Sequence, residues 1–319
     1  MVDSIAQMPS PTVAVILPCY NEEAAIAGVV AAFRKALPVS DIFVFDNAST
    51  DGTAAAAKAA GAIVRVEPMK GKGNAVRRAF ADIDADIYVM ADGDGTYDAA
   101  SAPRLVDCLR RETLDMVVGI RETSADAAYR PGHVLGNRVF SWLFRNLFRS
   151  EFTDILSGFR VFSRRFVKSF PSTSKGFEIE LEMSTHAALL RLPTKEIVTP
   201  YGERTKGGES KLNTYSDGFR ILRRMMSFLR LHRPRFVYSI VAFAGGLLSI
   251  GLAFPIVMEF IETGLVPRFP TAILATSIML AAFLIFVMGV ILDSQARYFS
   301  ETKRLAYLRI GPPPRLDKS

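Results

Sequence analysis

The sequence predicts a mixed α/β fold, in which a mostly parallel sheet carries helices on both faces and is followed by an interfacial helix and two transmembrane helices. Over the first ~120 residues, short apolar runs alternate with helical patterns, which is typical of a doubly wound parallel sheet. Polar segments follow four of the apolar runs, and two long charge-free runs lie in the C-terminal third. The first two observations predict the sheet, and the third predicts the spans.

Five short apolar runs predict buried strands, because polar or turn-forming residues bound each of them. The runs cover residues 13–17, 42–45, 62–66, 87–90 and 116–119. Between them, helical patterns cover residues 22–36, 53–60, 74–81 and 103–112. Gly61 ends the second helix, and Pro103 suits a first helical turn.

The polar segments come directly after the predicted strands. They are PCYNEE from Pro18, DNASTDGT from Asp46, PMKGKGN from Pro68 and ADGDGT from Ala91. In a parallel sheet the carboxyl ends of the strands meet at one edge, and ligands bind in the crevice beyond that edge. A single polar loop is ordinary turn chemistry, but four at one edge predict a binding site.

Residues 236–258 and 269–292 contain no charged side chain. Each run exceeds the ~20 residues that a helix needs to cross ~30 Å of hydrocarbon. Basic residues crowd before the first run and after the second, whereas the loop 259–268 carries two acids and one arginine. By the positive-inside bias, both flanking parts are predicted to be cytoplasmic.

The predicted organisation follows from these patterns. It consists of a polar leader (1–11), a cytoplasmic α/β domain (12–215), a juxtamembrane amphipathic helix (216–235), two transmembrane helices (236–258 and 269–292) joined by an external loop (259–268), and a cytoplasmic tail (293–319). Residues 133–149 mix arginines with apolar and aromatic side chains at helical spacing, which fits a membrane-surface helix or a core helix equally well.

Composition excludes several classes of protein. The net charge of +7 comes largely from arginines beside the spans, which favours anionic lipids as partners and not nucleic acid. The leader contains Asp3 and has no apolar run, so no secretory signal is expected. Cys19 and Cys108 are the only cysteines, which indicates a reducing compartment. The three histidines are scattered, so a histidine metal cluster is not expected.

The DGDG stretch places Asp92 and Asp94 one residue apart, each beside a glycine. Two adjacent carboxylates repel each other unless a cation lies between them. Mg²⁺ and Mn²⁺ prefer oxygen ligands and are usually shared with substrate phosphates. Because this pair follows a predicted strand and accompanies three other polar strand ends, it predicts a divalent-metal site.

The polar segments after the other three strands predict that a nucleotide diphosphate shares this metal. Asp46 is placed to accept from a ribose hydroxyl or a base edge. Residues 18–23 could line the base and ribose pocket, and Lys72 could meet phosphate at a helix N-terminus. No G-x-G-x-x-G opens the first helix and no G-x-x-x-x-G-K-[ST] loop exists, which disfavours dehydrogenases and P-loop proteins.

In this order and spacing, PCYNEE, DNASTDGT, GKGNA and DGDGTYD resemble the family 2 glycosyltransferases with the Rossmann-like GT-A fold. Further segments are similar to the polyprenyl-phosphate glycosyltransferases, the group that includes dolichyl-phosphate mannose synthase and bacterial bactoprenol glucosyl transferases. Those segments are DILSGFR, GFEIELEM and GERTKGGESKL, so the resemblance runs from about Val13 to Leu212.

The resemblance implies roles for individual residues. Nucleotide-sugar contacts are expected at Pro18, Tyr20, Glu22, Asp46, Asn47, Lys72, Asp92 and Gly93, and metal ligands at Asp92 and Asp94. Contacts to the acceptor phosphate or the diphosphate are expected at Arg121, Arg138, Arg204, Ser210 and Lys211. Catalytic roles are expected for Asp94, Asp154, Arg121 and Arg138, with Asp154 open between a base, an orienting residue and a structural cap.

The implied reaction is inverting transfer of a sugar from a nucleotide-diphospho-sugar to polyprenyl (undecaprenyl) phosphate at the cytoplasmic face of the cell membrane, with Mg²⁺ or Mn²⁺ as cofactor. A UDP-sugar is favoured over GDP-mannose, because DGDGTYD departs from the mannose-synthase form. Since a phosphate monoester has a second pKa near ~6, its oxygen is largely anionic at neutral pH and needs cations more than a base.

Other functions stay open from the sequence. One is transfer to a sugar hydroxyl of a lipid-linked glycan, and another is a non-catalytic membrane scaffold that binds nucleotide sugar. A processive polysaccharide synthase is disfavoured, because its Q-x-x-R-W motif is missing and the only glutamines are Gln7 and Gln295. The sugar, the oligomeric state and the downstream glycan are not identified by the sequence, and a homo-oligomer is left open.

Overall fold

The structure is a computed structural model that describes residues 11–123, 144–145, 152–176, 178–202, 223, 226–227 and 229–315. It divides into two compact units, residues 1–222 with 303–319, and residues 223–302. Half of the predicted juxtamembrane helix (216–235) and most of the segment 133–149 lie outside the described residues.

The first unit contains a seven-stranded, mostly parallel sheet in the order β3-β2-β1-β4-β6-β5-β7. The strands are β1 (Val13–Cys19), β2 (Asp41–Asp46), β3 (Ile63–Val66), β4 (Ile87–Met90), β5 (Met116–Thr123), β6 (Arg160–Ser163) and β7 (Thr194–Tyr201). Only β6 runs antiparallel, to β4 on one side and to β5 on the other. The predicted fold class is confirmed, and β6 and β7 are added to the five predicted strands.

The first four helices of this unit alternate with strands as the pattern predicts, and two further helices are added to them. They are α1 (Glu23–Ala36), α2 (Thr53–Ala59), α3 (Lys72–Asp82), α4 (Ala102–Arg111), α5 (Arg164–Ser169) and α6 (Ile179–Leu190), with a 3₁₀ turn at Ala99–Ser101. The third helix begins at Lys72, two residues before the predicted start, because Gly71 takes φ +126° and ends the preceding loop there.

The core lies between the sheet and its helices. Val15 and Leu17 of β1, Val89 of β4 and Phe33 of α1 are all buried in one apolar cluster. All four residues of β4 are buried, as expected for a central strand of a parallel sheet. This packing fixes the positions of the carboxyl ends of the strands, and therefore the positions of the polar loops that follow them.

A fully buried arginine holds the loop before β6. The Arg160 guanidinium donates from Nε to the Ser157 carbonyl at 2.8 Å, from Nη2 to the Ile155 carbonyl at 2.8 Å, and from Nη1 to Ser184 Oγ at 3.0 Å. Burial lowers the pKa of Arg160. A buried charge persists only when its donors are satisfied, so this side chain ties the loop 154–158 to α6.

The second unit contains all of one long helix, α7 (Pro234–Thr263), and most of another, α8 (Phe269–Leu308). By length and composition both are able to cross a membrane. They pack closely where small residues face each other: Ser249 Oγ donates to the Ala275 carbonyl at 2.7 Å, and a Cβ on Gly245 would lie 3.2 Å from that of Ala282. Helix α8 continues through the charged residues that follow position 292.

We predict that Arg160→Met destabilises the first unit by about 3 kcal/mol, because it strips donors from three buried acceptors while keeping an apolar side chain of similar length. That loss corresponds to a fall in Tm of about 6–12 °C for a unit of this size. Thermal unfolding of the detergent-solubilised chain measures it.

The matched control is Arg164→Met, four residues further along the chain. Arg164 makes an exposed two-point pair with Asp84, with distances of 3.0 and 2.9 Å. An exposed pair of this kind is worth at most about 1 kcal/mol. Equal shifts in the two variants would contradict the role given to Arg160.

Candidate functional site

The site begins with one row of residues across the ends of β2, β1 and β4. Cys19 is the register partner of Asp46, and Ile16 is the partner of Met90, so Gly93 continues the row on the other side of Cys19. A Cβ built on Gly93 would overlap Cys19 Sγ. A side chain at position 93 would therefore displace the buried Cys19 thiol, so glycine allows the two chain segments to lie this close together.

Four carboxylates surround the buried thiol of Cys19. Burial raises its pKa well above the usual value, and the negative charges of Glu22, Asp92, Asp46 and Asp94 raise it further. Asp46 is the last residue of β2, Glu22 follows β1, and Asp92 and Asp94 follow β4. The fold thus brings together the acidic residues that the sequence analysis selected.

Asp46 is buried at the end of β2, and its Oδ1 atom has no hydrogen-bond partner among the residues that the structure describes. A buried polar atom without a partner costs about 1–3 kcal/mol. A hydroxyl or N–H donor from a bound ligand would recover this energy, as the ribose or base contact predicted for Asp46 requires.

Asp92 and Asp94 differ in their surroundings. Asp94 is buried, and its Oδ1 accepts from the Thr96 amide at 3.1 Å and from Thr96 Oγ1 at 2.7 Å. Asp92 is partly exposed and forms an ion pair with Lys72. The Asp94 carboxylate is held in place by its own loop, whereas the Asp92 carboxylate is accessible to a cation from solution.

Lys72, at the start of α3, lies between Asp92 and Glu180 of α6. Its Nζ is 2.5 Å from Glu180 Oε1. Burial acts to lower the pKa of Lys72, but the two carboxylates outweigh burial and hold that pKa well above its usual value. Burial raises the pKa of Glu180, and the positive charge of Lys72 acts in the opposite direction. The predicted phosphate contact of Lys72 stays a prediction, and no role was predicted for Glu180.

Two glycines set the position of Lys72. Cβ atoms on Gly71 and Gly73 would overlap the carbonyl oxygens of Lys175 and Ser174. The opposing loop is fixed in turn by Glu182, whose carboxylate accepts from the Ser174 amide at 2.7 Å and from Thr173. The G-K-G pattern is therefore required by contact between two backbones, with the lysine between them.

The other residues that were predicted to contact the nucleotide-sugar differ in their contacts within the protein. The Asn47 side chain donates to the Met69 carbonyl at 2.7 Å and accepts from the Gly71 amide at 2.6 Å, so it braces the loop before α3. Lys70 Nζ donates to the Tyr20 hydroxyl at 3.2 Å. Pro18 is buried in β1, and the Glu22 amide donates to Thr53 Oγ1 at 2.8 Å. Their contacts to a nucleotide stay predictions.

Across the site, Arg121 and Asp154 form a two-point ion pair. Arg121 Nε and Nη2 donate to the two carboxylate oxygens, each at 2.8 Å. The guanidinium also lies 5.6 Å from the ring centre of Tyr201. Glu196 holds the Asp154 loop by accepting from the Thr153 amide at 2.9 Å. A two-point pair fixes the plane of the arginine, which suits it to bind an oxyanion.

Tyr97 is a site residue that the sequence analysis did not select. Its hydroxyl accepts from the Gly158 amide at 2.8 Å, and its ring packs against Tyr201 at 5.2 Å between centres. Burial raises the pKa of this phenol, so it stays protonated. A Cβ on Gly158 would lie 2.9 Å from Asp92 Oδ2. Tyr97 thus links the loop that carries Asp154 to the one that carries Asp92.

Arg138, Arg204, Ser210 and Lys211 lie outside the described residues. Within the part of the chain that is described, no group of three or more His, Cys, Asp or Glu side chains is arranged to hold a metal ion. The oxygen donors of Asp92 and Asp94 nevertheless fit Mg²⁺ or Mn²⁺, because such ions take one or two protein carboxylates and complete their shell with substrate phosphates and water.

We predict that Cys19 reacts with iodoacetamide at least about ten times more slowly than half-buried Cys108 in the native chain near about pH 8. The raised pKa keeps the Cys19 thiol protonated, and the thiolate is the nucleophile. Mass spectrometry of timed digests measures the two rates, with Cys108→Ser as the control. Equal native rates would contradict the acidic, closed environment of Cys19, and urea should abolish the difference.

Comparisons with known proteins identify the family of this chain. The family model described as "Glycosyl transferase family 2" matches residues 14–170. "Glycosyltransferase AglJ" of Haloferax volcanii is 36% identical over 261 residues, covering 80% of this chain and 84% of its own. "Undecaprenyl-phosphate mannosyltransferase" of Micrococcus luteus is 29% identical over 219 residues, covering 62% and 86%.

A solved structure is similar over about two thirds of this chain. Glucosyl-3-phosphoglycerate synthase from Mycobacterium tuberculosis, in complex with Mn²⁺, uridine diphosphate and glucosyl-3-phosphoglycerate, superimposes with a TM-score of 0.56 at 25% identity. The match covers 68% of this chain and 80% of that one. With the relative that is 36% identical over most of its length, these findings establish that this chain belongs to glycosyl transferase family 2.

Proposed function

We propose that this protein transfers a sugar from a nucleotide-diphospho-sugar, with UDP favoured as the nucleotide, to polyprenyl phosphate at the cytoplasmic face of the cell membrane. The transfer inverts the anomeric centre and yields a polyprenyl-phospho-sugar. The observation that carries the proposal is the convergence of Asp46, Asp92 and Asp94 around Cys19, next to the Arg121–Asp154 pair.

The donor side is supported by the unsatisfied oxygen of Asp46 and by the relatives. A nucleotide hydroxyl or base N–H would give that buried atom the donor it lacks among the described residues. The similar synthase was solved with uridine diphosphate and Mn²⁺. Tyr20 and Glu22 follow β1 at the same edge, where they are proposed to line the nucleotide pocket.

Asp92 and Asp94 are proposed to hold Mg²⁺ or Mn²⁺ together with the donor diphosphate. Bound there, the cation would neutralise charge on the leaving nucleotide diphosphate. The protein's own contribution is to keep Asp94 fixed through Thr96 and to leave Asp92 accessible.

The acceptor side is proposed to be built on Arg121, held in plane by Asp154. A lipid phosphate monoester is already largely anionic above about pH 6, so the attacking oxygen needs no proton removed. The remaining requirement is to bring two anionic reactants together, which a planar guanidinium does well. Arg138, Arg204, Ser210 and Lys211 are proposed to contribute to the same anion site.

Two observations support the proposal that the sugar acceptor is a membrane lipid. They are the two long apolar helices and the relative that is named for undecaprenyl phosphate. The test is sugar transfer to undecaprenyl phosphate by the purified chain in detergent, with a panel of labelled UDP- and GDP-sugars. One chelator-sensitive lipid product would support the proposal. Nucleotide release to water or to a sugar hydroxyl, with no lipid product, would overturn the acceptor.

We predict that Asp94→Asn lowers transfer by at least about a hundredfold, because loss of one metal-binding charge costs about 3 kcal/mol in the transition state. Steady-state transfer over a range of Mn²⁺ concentrations measures it. The control is Asp98→Asn in the same segment, since Asp98 caps the following turn by accepting from the Ala100 amide, and asparagine caps equally well.

Wild-type rates in Asp98→Asn with near-complete loss in Asp94→Asn would support the metal role. Full cellular function of Asp94→Asn would instead favour a scaffold that binds nucleotide sugar without catalysis.

We predict that Asp154→Asn raises the KM for polyprenyl phosphate about tenfold, because Arg121 loses a charged partner worth about 1.5–3 kcal/mol. The acidic limb of the rate profile should stay near about pH 6, where the lipid phosphate itself titrates. Rates between about pH 5 and 8 measure both effects. Loss of that limb would show instead that Asp154 is a general base.

Asp84→Asn is the matched control for this variant. Asp84 also makes a two-point pair with an arginine, Arg164, but that pair is exposed. Asp84 precedes β4, whereas Asp92 follows it, so the pair lies at the opposite end of the strand from Asp92. Its kinetic constants are expected to stay within about twofold of the wild type.

A further inference from the structure

The ion-paired cluster of Lys72, Asp92 and Glu180 is more than the donor site requires. Glu180 is on α6, far along the chain from the strand-end motifs, and its carboxylate is buried with the lysine on one of its oxygens. A buried carboxylate without a counter-ion is strongly destabilising, so Lys72 has to remain close to Glu180. The question is what the ammonium does for Asp92.

The three groups form a gradient of exposure. The side chain of Asp92 is 28% exposed, that of Lys72 is 9% exposed and that of Glu180 is 4% exposed. A cation arriving from solution therefore reaches Asp92 and does not reach Glu180. Lys72 therefore lies between a partly exposed carboxylate, that of Asp92, and a buried one, that of Glu180.

The backbone of Gly158 closes the pair from the other side. A Cβ at that position would lie 2.9 Å from Asp92 Oδ2 and 3.0 Å from Lys72 Nζ. The ammonium lies between this backbone and the carboxylates of Asp92 and Glu180. Confined in this way, it can exchange between two carboxylate partners through a small side-chain movement.

We propose that Lys72 is a resident counter-ion of Asp92, and that Glu180 is the positioning residue that retains the ammonium when a divalent cation takes Asp92. The inference rests on the proposed function, because it assigns Asp92 to the metal. In the absence of metal, Lys72 offsets the repulsion between Asp92 and Asp94. When metal binds, Lys72 stays with Glu180 and its positive charge remains beside the donor site.

Charge explains why both partners are needed. Asp92, Asp94 and Glu180 with Lys72 carry a net charge of minus two, which matches a divalent cation. Without Glu180, Lys72 would have Asp92 as its remaining carboxylate partner within this cluster and would compete with the metal. Without Lys72, the carboxylates would attract a cation more strongly and would be left repelling one another in its absence.

The experiment measures Mn²⁺ binding to the full chain in detergent by the electron paramagnetic resonance of free Mn²⁺, alone and with saturating UDP or GDP. We expect Lys72→Met to tighten Mn²⁺ binding about tenfold and Glu180→Gln to weaken it about tenfold. The matched control is Glu178→Gln, which removes the same charge at the start of α6 and should change binding less than about twofold.

Opposite signs in the two variants support the inference, because a merely structural role would weaken binding in both. Weakening in both, or no change in either, would overturn it. If one of these single variants loses its cooperative thermal transition, it is not folded and its affinity for Mn²⁺ cannot be compared. The double variant Lys72→Met with Glu180→Gln is then used to test the inference. It should bind Mn²⁺ about ten times more tightly than Glu180→Gln, and equal affinities would overturn the exchange.

The outcomes also separate this inference from the proposed function. A wild-type chain that transfers sugar and binds Mn²⁺, with variants that do not change its affinity, would overturn only the role of Lys72 and Glu180. A wild-type chain that binds no Mn²⁺ with or without nucleotide would overturn the metal assignment on which both proposals rest.

Discussion

The ion pairs of Lys72 with Asp92 and Glu180 join the parts of the first unit on which the site depends. Lys72 begins α3, Asp92 follows β4, and Glu180 lies on α6, so one ammonium connects three segments that are distant in sequence. The geometry is possible because two glycines let the α3 loop touch the backbone at Ser174 and Lys175. Burial keeps Lys72 and Glu180 together, because neither of these two buried charges could be left alone in the interior.

The loop that precedes β6 carries Asp154, and side-chain hydrogen bonds hold it in place. Arg160 satisfies two of its carbonyl groups, Glu196 accepts from its start, and Tyr97 accepts from Gly158. The result is that Asp154 meets Arg121 with both oxygens. Rigid support of this kind is what an anion site needs, since a loose guanidinium gains little from binding phosphate.

Much of the fold was predictable because it follows from local patterns. Short apolar runs bounded by polar residues, together with strand–helix alternation, predicted the first five strands, and the DGDG pair was selected from the chemistry of two adjacent carboxylates. The antiparallel β6 and the edge strand β7 were not predicted, because each depends on pairing with strands far away in sequence. Tyr97 and Glu180 were missed for the same reason, although both lie within segments that the sequence analysis quoted.

The sequence by itself determined the fold class, the acidic strand ends, the candidate metal carboxylates and the two apolar helices, because these depend on residue type and short spacing. Only the tertiary structure decided which partners those residues have. It gave Lys72 two carboxylates, committed Asn47 to the loop before α3, and left Asp46 with an oxygen that has no partner among the described residues. Partner choice is set by long-range packing and by the energy of burying charge, and neither is encoded in local spacing.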